Sequence, residues 1–213
     1  MVRWFQEVIS MGYLITIIFG YLMGSSSMTY YISKAKGVDV RSNGSGNLGA
    51  SNATVLMGWW VGAAVAIHDV GKSALAVILA RHFFPDLEHI GAVAGIASVL
   101  GHIFPFYLGF KGGKGFASYL GMTVALNWKL GLAIIAVALL ATLITDYIVV
   151  GTVTTITAVP VVLGIMTHSL TLAAILLIGT VVMYFKHLEN FKRILSGTEI
   201  GLRSTAKGEH RLK

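Results

Sequence analysis

Long apolar segments constrain this chain more than any other feature of its sequence. Of its 213 residues, 55% are hydrophobic and only 12% are charged, and its mean hydropathy is +0.77. Soluble domains carry about twice as much charge, whereas about 20 consecutive apolar residues are enough to cross the hydrocarbon core of a bilayer. The composition therefore predicts a polytopic membrane protein.

Seven apolar segments are candidates for membrane spans. The short one, residues 116–127, would reach only about 18 Å as a helix, against a bilayer core of about 30 Å. The six longer ones are predicted at residues 8–32, 59–80, 90–108, 130–145, 148–167 and 170–185. We therefore predict an all-α polytopic membrane protein with seven transmembrane helices, one of them short. The first segment lacks a clear signal-peptide cleavage site, so we interpret it as a retained span.

Basic residues gather on one side of the predicted bundle. With seven spans, the loops at 33–49 and 109–115, the 145–150 turn and the C-terminal tail share one side, which carries most of the lysines and arginines. The positive-inside rule makes that side cytoplasmic, so the N-terminus lies outside and the C-terminus in the cytoplasm. We predict one transmembrane domain over residues 1–195 and a basic, loosely held cytoplasmic tail over residues 196–213.

Charge and cysteine content limit the partners and the chemistry. The net charge of +7 lies mainly in short loops between spans, which favours anionic lipid or an anionic substrate and argues against nucleic acid. The chain has no cysteine, which excludes disulfides, cysteine metal sites and a thioester intermediate. We predict neither a metal nor a cofactor.

Two glycine-rich turns lie on the predicted cytoplasmic side. Residues 109–115 contain four glycines and two lysines, and residues 43–49 are rich in glycine and hydroxyl groups. Converging backbone N–H groups with added positive charge suit an oxyanion such as phosphate. The turn at 109–115 is not a Walker A loop, because Leu108 and Gly115 occupy two of the positions that define such a loop. A flexible basic turn is the alternative interpretation. A short helix is predicted over residues 50–58, directly after the turn at 43–49.

Ionisable residues also occur inside the predicted spans. His68, Asp69 and Lys72 fall within a sector of about 100° on the second span. Such groups are costly in a membrane and usually face a partner or a cavity, although a buried Asp69–Lys72 pair that locks helices together is an alternative. His102, near the cytoplasmic end of the third span, is either a packed histidine or a functional one.

Polar residues on the last two spans share helix faces. Thr152 and Thr155 lie three residues apart, as do His187 and Asn190. Threonines inside a span commonly bond to their own helix or to a neighbour, so they need not bind a ligand. Together with both glycine-rich turns, Thr152 and the His187–Asn190 face emerge at one membrane surface. A cleft there would suit a phosphate-bearing substrate with an apolar tail.

These residues resemble the PlsY family of bacterial membrane acyltransferases. The matching pieces are 37–52, Asp69-Val-Gly-Lys72, 101–105 with 110–115, His187-Leu-Glu-Asn190 and Gly197-Thr-Glu199, in order and over nearly the whole chain. The resemblance implies seven helices, an extracellular N-terminus and a metal-free active site that faces the cytoplasm of a bacterial inner membrane. It also implies transfer of an acyl chain from acyl phosphate to glycerol 3-phosphate, which gives lysophosphatidate. Membrane lipid and an upstream acyl-phosphate-forming enzyme are the other implied partners.

The predicted site residues follow from the motifs and the resemblance together. The residues predicted to be catalytic are His187, Asn190, Ser45 and Lys114. The residues predicted to bind substrate are Gly44, Gly46, Asn47, Asn52, Lys111, Gly112, Gly113, Thr152, Asp69, Lys72 and His102.

Several positions depart from the family pattern. Val55 and Asp146 stand where arginines are expected, Val149 and Thr152 where serines are, and Ser27 where a proline is. Arginine makes bidentate phosphate contacts that valine cannot replace. The chain is therefore predicted to be a divergent member, and a changed acceptor or a non-catalytic lipid-binding or transport protein is the alternative. A transporter of this kind would be expected to show an internal repeat, which the sequence lacks.

Acyl phosphate is already an activated mixed anhydride, so no acyl-enzyme is required. Lys114 and the loop amides are predicted to stabilise the leaving phosphate. Either His187 or an oxygen of the acyl phosphate would accept the proton of the attacking hydroxyl. Ser45 as a covalent nucleophile has little support, because the sequence shows no adjacent base. The acyl chain is expected to enter sideways between helices.

Overall fold

The computed structural model describes the backbone of residues 2–207 and the side chains of residues 10–205. Within this part the chain is helical and has no strand. Residues 208–213 of the predicted tail lie outside it. A 3₁₀ turn spans Phe106–Leu108, and the α-helices are α1 Val2–Ser25, α2 Met28–Lys36, α3 Ala50–Met57, α4 Trp59–Phe83, α5 Ile90–Ile103, α6 Phe116–Leu126, α7 Trp128–Thr145, α8 Ile148–Thr167, α9 Leu170–Leu195 and α10 Leu202–Lys207.

Six helical segments of the described chain are long and apolar enough to cross a membrane. They are Ser10–Lys36, Trp59–Phe83, Ile90–Leu108, Trp128–Thr145, Ile148–Thr167 and Leu170–Leu195. This confirms the all-helical membrane class and all six longer predicted segments. The short helix α6 has 11 residues, which reach only about 17 Å. A total of seven spans therefore stays a prediction.

The short helix α6 lies among other helices. Its Tyr119 and Met122 are fully buried and pack in one cluster with Ile103, Ile156 and Leu176, which come from α5, α8 and α9. Irregular backbone at membrane depth is tolerated where protein surrounds it. The carbonyls that end α6 also have partners, because the Arg81 guanidinium donates to Ala125 O at 2.8 Å and Leu126 O at 3.4 Å.

The first span, predicted at residues 8–32 and found at Ser10–Lys36, is interrupted, which the sequence did not predict. Helix α1 ends at Ser25, and α2 begins at Met28 with Ser27 as its N-cap, whose hydroxyl accepts from Tyr30 N. Lys72 Nζ donates to the exposed carbonyl of Ser26 at 2.7 Å. A buried lysine on another helix thus stabilises a break for which the local sequence contains no proline.

Small residues let α1 and α5 pack backbone to backbone. A Cβ at Gly20 would come within 2.6 Å of Ala94 O, and a Cβ at Gly24 would overlap Ser98 O. In the other direction, a Cβ at Gly101 would overlap Tyr21 O. Small residues of this kind let two membrane helices approach each other closely.

The end of the chain differs most from expectation. Helix α9 continues to Leu195, ten residues beyond the predicted end of its span. Thr198 N and Glu199 N then donate to Arg193 O, and Leu202 N donates to Asp146 O at 2.8 Å. The segment up to Lys207 is therefore docked against the bundle, and the expectation of a loosely held tail is wrong for it. The segment docks because Asp146 supplies two oxygen acceptors for its backbone N–H groups, and the sequence around residue 202 does not reveal this distant partner.

Substituting Gly24 by alanine tests the close packing of α1 on α5. We expect Gly24→Ala to lower the free energy of unfolding by about 1–3 kcal/mol, because the added methyl group overlaps backbone that cannot move away. Gly71→Ala is the matched control, since a Cβ at Gly71 on α4 has no neighbour within 4 Å. Thermal unfolding in detergent measures both, and equal melting temperatures for the two variants would contradict this packing.

Candidate active site

A cavity of about 490 Å³ opens at one end of the bundle. Residues of both glycine-rich loops, of α4, α8 and α9, and of the segment after α9 line it. The sequence prediction that these distant segments meet at one surface is confirmed. Of the predicted site residues, the structure brings the following to the cavity wall: Gly44, Ser45, Asn47, Asn52, Asp69, His102, Lys114, Thr152, His187 and Asn190.

Five predicted site residues do not reach this wall: Gly46, Lys111, Gly112, Gly113 and Lys72. Lys111 is exposed on the outer side of its loop. The amides of Gly112 and Gly113 donate to Ile103 O and His102 O, at 3.0 and 3.1 Å. The idea that these amides converge on an oxyanion is therefore wrong. The glycines serve packing instead, since a Cβ at Gly113 would overlap the ring of His102.

Asn52 organises the first glycine-rich loop from within. Its Nδ2 donates to Val40 O and Asn47 O, both at 3.0 Å, and its Oδ1 accepts from Ser45 N at 2.9 Å. The side chain is 3% exposed. Because the loop already uses its donors and its acceptor, Asn52 positions Ser45 rather than presenting a free amide to a ligand.

Four polar side chains form a hydrogen-bonded row along the cavity. Lys114 Nζ donates to Asn190 Oδ1, Asn190 Nδ2 donates to Glu199 Oε1, and Arg193 Nε donates to Glu199 Oε2 at 2.6 Å. Within residues 10–205, Lys114 and Arg193 are the lysine and arginine side chains at the wall. Burial, together with the nearby Arg193 guanidinium, lowers the pKa of Lys114 to about 8.

Arg193, Thr198 and Glu199 were not among the predicted site residues, although all three line the cavity. Thr198 and Glu199 lie in the matched piece at 197–199, and Arg193 lies in the basic run that ends α9. The spacing of Arg193, three residues after Asn190, places it on the same helix face as the predicted pair. That spacing is the signal that would have identified it.

His187 is held with one ring nitrogen engaged. Its Nδ1 lies 2.7 Å from Met183 O, one turn earlier on α9. A carbonyl only accepts, so Nδ1 carries the hydrogen and Nε2 of the neutral ring keeps a lone pair. The ring is 4% exposed and lines the cavity. His187 can therefore accept a proton or a hydrogen bond there.

Lys72 uses all three of its N–H groups inside the protein. Its Nζ lies 2.7 Å from Ser26 O, 2.8 Å from Asp69 Oδ1 and 2.9 Å from His102 Nδ1. Because an ammonium group donates only, His102 Nδ1 accepts and His102 Nε2 carries the hydrogen. The predicted alternative of a buried Asp69–Lys72 pair is thus confirmed. Asp69 and His102 also line the cavity. Lys72 does not line it, but its hydrogen bonds hold these two side chains in place.

Thr152 bonds within its own helix. Its hydroxyl donates to Ile148 O at 3.1 Å, and Thr155 donates to Gly151 O at 2.9 Å. The alternative interpretation of these threonines, back-bonding inside a span, is therefore confirmed for both. Thr152 still lines the cavity, where the lone pairs of its oxygen remain available.

Three helices begin at the cavity. Its lining includes the first turns of α3, α6 and α8, at residues 50–52, 116–117 and 148–149. The first N–H groups of a helix have no partner within the helix, and the helix dipole makes this end favourable for anions. An anion in the cavity would therefore meet helix termini instead of the loop amides that sequence reasoning favoured.

Apolar and small residues of α4 and α8 form another part of the wall. Gly62, Ala63 and Ala66 on α4 lie on one side, and Ile148 and Val149 on α8 on another. Val55, which replaces one expected arginine, also lines the cavity. The lining therefore combines cationic with apolar side chains, a composition that suits a phosphate joined to an aliphatic chain.

The fold defines an integral-membrane helical protein, and its cavity is lined by cationic and apolar side chains. The comparisons with known proteins identify its family. The glycerol-3-phosphate acyltransferase family model matches residues 14–197, and the chain belongs to this family.

Glycerol-3-phosphate acyltransferases of bacteria align with most of the chain. The protein from Mesorhizobium japonicum is 35% identical over 88% of this chain and 95% of its own. The protein from Thermotoga petrophila is 37% identical over 89% of this chain and 96% of its own.

The solved structure of PlsY in its glycerol 3-phosphate form superposes with a TM-score of 0.85. It is 32% identical and covers 92% of this chain and 98% of its own. Its lysophosphatidic acid form superposes with a TM-score of 0.80. The resemblance to PlsY predicted from the sequence motifs is thereby confirmed.

The lowered pKa of Lys114 predicts how anion binding depends on pH. Lys114 is largely charged at pH 7 and largely neutral at pH 9, so sulfate, whose own charge is constant over this range, should bind up to about tenfold more weakly at pH 9. Lys114→Arg keeps its charge and should flatten the profile between these pH values. Calorimetric titration of the purified protein with sulfate measures both. A wild-type profile as flat as that of Lys114→Arg would contradict the assignment.

Proposed function

We propose that the protein is an inner-membrane enzyme that transfers an acyl chain from acyl phosphate to glycerol 3-phosphate and so forms lysophosphatidate. The observation that carries this proposal is the set of residues that line the cavity. Lys114, Arg193 and three helix N-termini line it together with small apolar residues of α4. The family to which the chain belongs supports the same reaction.

The reaction needs positioning more than covalent help. The hydroxyl oxygen of glycerol 3-phosphate attacks the carbonyl carbon of acyl phosphate, the bond from that carbon to the phosphate oxygen breaks, and inorganic phosphate leaves. Lys114 and Arg193 stabilise the phosphate charge, which grows as the bond breaks. Holding donor and acceptor side by side in one cavity converts a bimolecular step into an effectively unimolecular one.

We assign the proton acceptor to Nε2 of His187, because its Nδ1 is fixed on Met183 O. The hydroxyl proton moves to Nε2 as the new ester bond forms, and the departing phosphate can take it up afterwards. Ser45 acts by binding rather than as a nucleophile. Its amide is held by Asn52, and among the described residues no histidine or carboxylate forms a hydrogen bond with its hydroxyl group.

Arg193 supplies a guanidinium group at the cavity wall, where two expected arginines are absent. A valine at position 55 removes a cation from the cavity wall, and Asp146 lies beside Gly201 rather than in the wall. The guanidinium of Arg193 at that wall provides planar, bidentate donors for phosphate. The site therefore keeps one lysine and one arginine for two phosphate-bearing substrates.

The cavity faces the cytoplasm in this proposal. It opens at the end of the bundle where the loops at 37–49 and 109–115 and the end of α9 meet, and this end carries most of the basic residues. The donor is a mixed anhydride, so a separate phosphoryl- or acyl-transferring enzyme must form it. Membrane lipid surrounds the membrane-spanning helices.

The direct test follows both products in detergent-solubilised protein supplied with acyl phosphate and glycerol 3-phosphate. Wild type should release inorganic phosphate and form lysophosphatidate in equal amounts, and Lys114→Ala should lose at least about a hundredfold in kcat/KM, which corresponds to one charge-assisted contact in the transition state. Lys111→Ala is the matched control in the same loop, because Lys111 is exposed outside the cavity. Folded wild-type protein that forms neither product would overturn the proposed function.

Replacing His187 tests the proton acceptor. We expect His187→Gln to lower kcat by about 10²- to 10⁴-fold, as is typical when a general base is lost, with a much smaller change in KM. Rapid-mixing kinetics at saturating substrates over pH 5 to 9 measure the effect. A loss below about tenfold with an unchanged pH profile would show that a substrate oxygen accepts the proton instead.

A further inference from the structure

Asp146 ends α7 in the left-handed region, with φ of 70°. Both kinds of acceptor on this residue bind the segment that follows α9. Its backbone carbonyl accepts from Leu202 N at 2.8 Å, and its Oδ1 accepts from Arg203 N at 2.9 Å. Gly201 passes so close that a Cβ there would overlap Asp146 Oδ2.

These contacts are those of a helix cap supplied from a distant part of the chain. Leu202 and Arg203 are the first two residues of α10, and the first N–H groups of a helix lack partners within the helix. A carboxylate oxygen is among the best acceptors for them. Asp146 thus caps a helix that lies 57 residues later. The arginine that the family resemblance predicts here has no side-chain acceptor and could not make this contact.

The side chain of Arg203 adds little to this cap. Its Nε lies 4.0 Å from Asp146 Oδ1, and the arginine side chain is 70% exposed, so solvent screens the ion pair. Its guanidinium also donates to Leu143 O at 3.0 Å. The backbone contacts to Asp146 are therefore the ones that fix the direction of α10.

The capped segment forms part of the cavity wall. Ile200, Gly201, Leu202 and Thr205 line the cavity, and Glu199, directly before them, holds Asn190 and Arg193. We call residues 200–205 the strap. The strap is therefore part of the same wall as Lys114, Asn190 and Arg193.

We propose that Asp146 is a positioning residue that holds the strap over the cavity, and that the strap keeps water from the acyl phosphate. This proposal rests on the proposed function. Without the strap, the oxygen of water attacks the carbonyl carbon, the bond to the phosphate oxygen breaks, and a free fatty acid and inorganic phosphate result. With the strap in place, the acyl chain goes to glycerol 3-phosphate.

The ratio of inorganic phosphate to lysophosphatidate tests the proposal. Asp146→Gly removes the capping oxygen but tolerates the left-handed backbone, whereas Asp146→Asn keeps an oxygen acceptor at Oδ1. We expect a ratio of about one for wild type and Asp146→Asn, and at least about threefold more phosphate than lysophosphatidate for Asp146→Gly. Arg203→Ala and Asp86→Gly, an exposed aspartate in the loop at 84–89, should keep the wild-type ratio.

Cysteine labelling reports on the strap without any turnover. The chain contains no cysteine, so Thr205→Cys gives a single reactive site. A maleimide should label it several-fold faster when Asp146→Gly is also present than when Asp146→Asn is. Equal labelling rates would overturn the assignment of Asp146 as the cap.

The product ratio and the labelling rate together distinguish a failure of this proposal from a failure of the proposed function. If labelling accelerates but Asp146→Gly keeps a ratio of one, the strap does not exclude water, and that half of the proposal is wrong. If folded wild type forms neither product, the proposed function fails, while the labelling rates still decide whether Asp146 holds the strap.

Discussion

The three hydrogen bonds of Lys72 are the interaction on which the site depends most. Inside a bilayer every polar backbone group needs a partner within the protein, and the break after Ser25 leaves a carbonyl that Lys72 satisfies at 2.7 Å. The same ammonium group holds Asp69 on α4 and His102 on α5. Buried ion pairs of this kind add little net stability but fix one arrangement of the helices. Through His102, this arrangement also sets the position of the loop that carries Lys114.

The charge at the cavity is small and well distributed. Glu199 neutralises Arg193, whereas Lys114 contacts the uncharged amide of Asn190. In the proposed function, the Lys114 ammonium group, the remaining N–H groups of Arg193 and three helix termini attract phosphate without a dense cluster of buried cations, which would be costly to desolvate. With valine and aspartate at two expected arginine positions, the proposed anion site depends on these groups. Asp146 instead caps the N-terminus of α10.

Sequence reasoning predicted the membrane class, the longer spans and the meeting of the distant loops, because apolar runs and charge asymmetry are encoded locally. It missed the break at Ser26–Ser27, since the partner that stabilises the break is Lys72, 46 residues away. It also assigned Gly112 and Gly113 to anion binding, although they pack against His102 and Ile103. A glycine that permits close packing and a glycine that presents an amide look alike in a sequence. The docked segment after α9 was missed because Asp146, which caps α10, lies 57 residues away from it in the sequence.

A structure with bound glycerol 3-phosphate is the most direct test of the central claim that one cavity forms the site. The phosphate should lie with oxygens within about 3 Å of Lys114 Nζ or the Arg193 guanidinium. The glycerol hydroxyl should lie on the side of His187 Nε2. A phosphate bound instead in the open groove beside Lys34 and Arg41, with the cavity wall unchanged, would contradict the account.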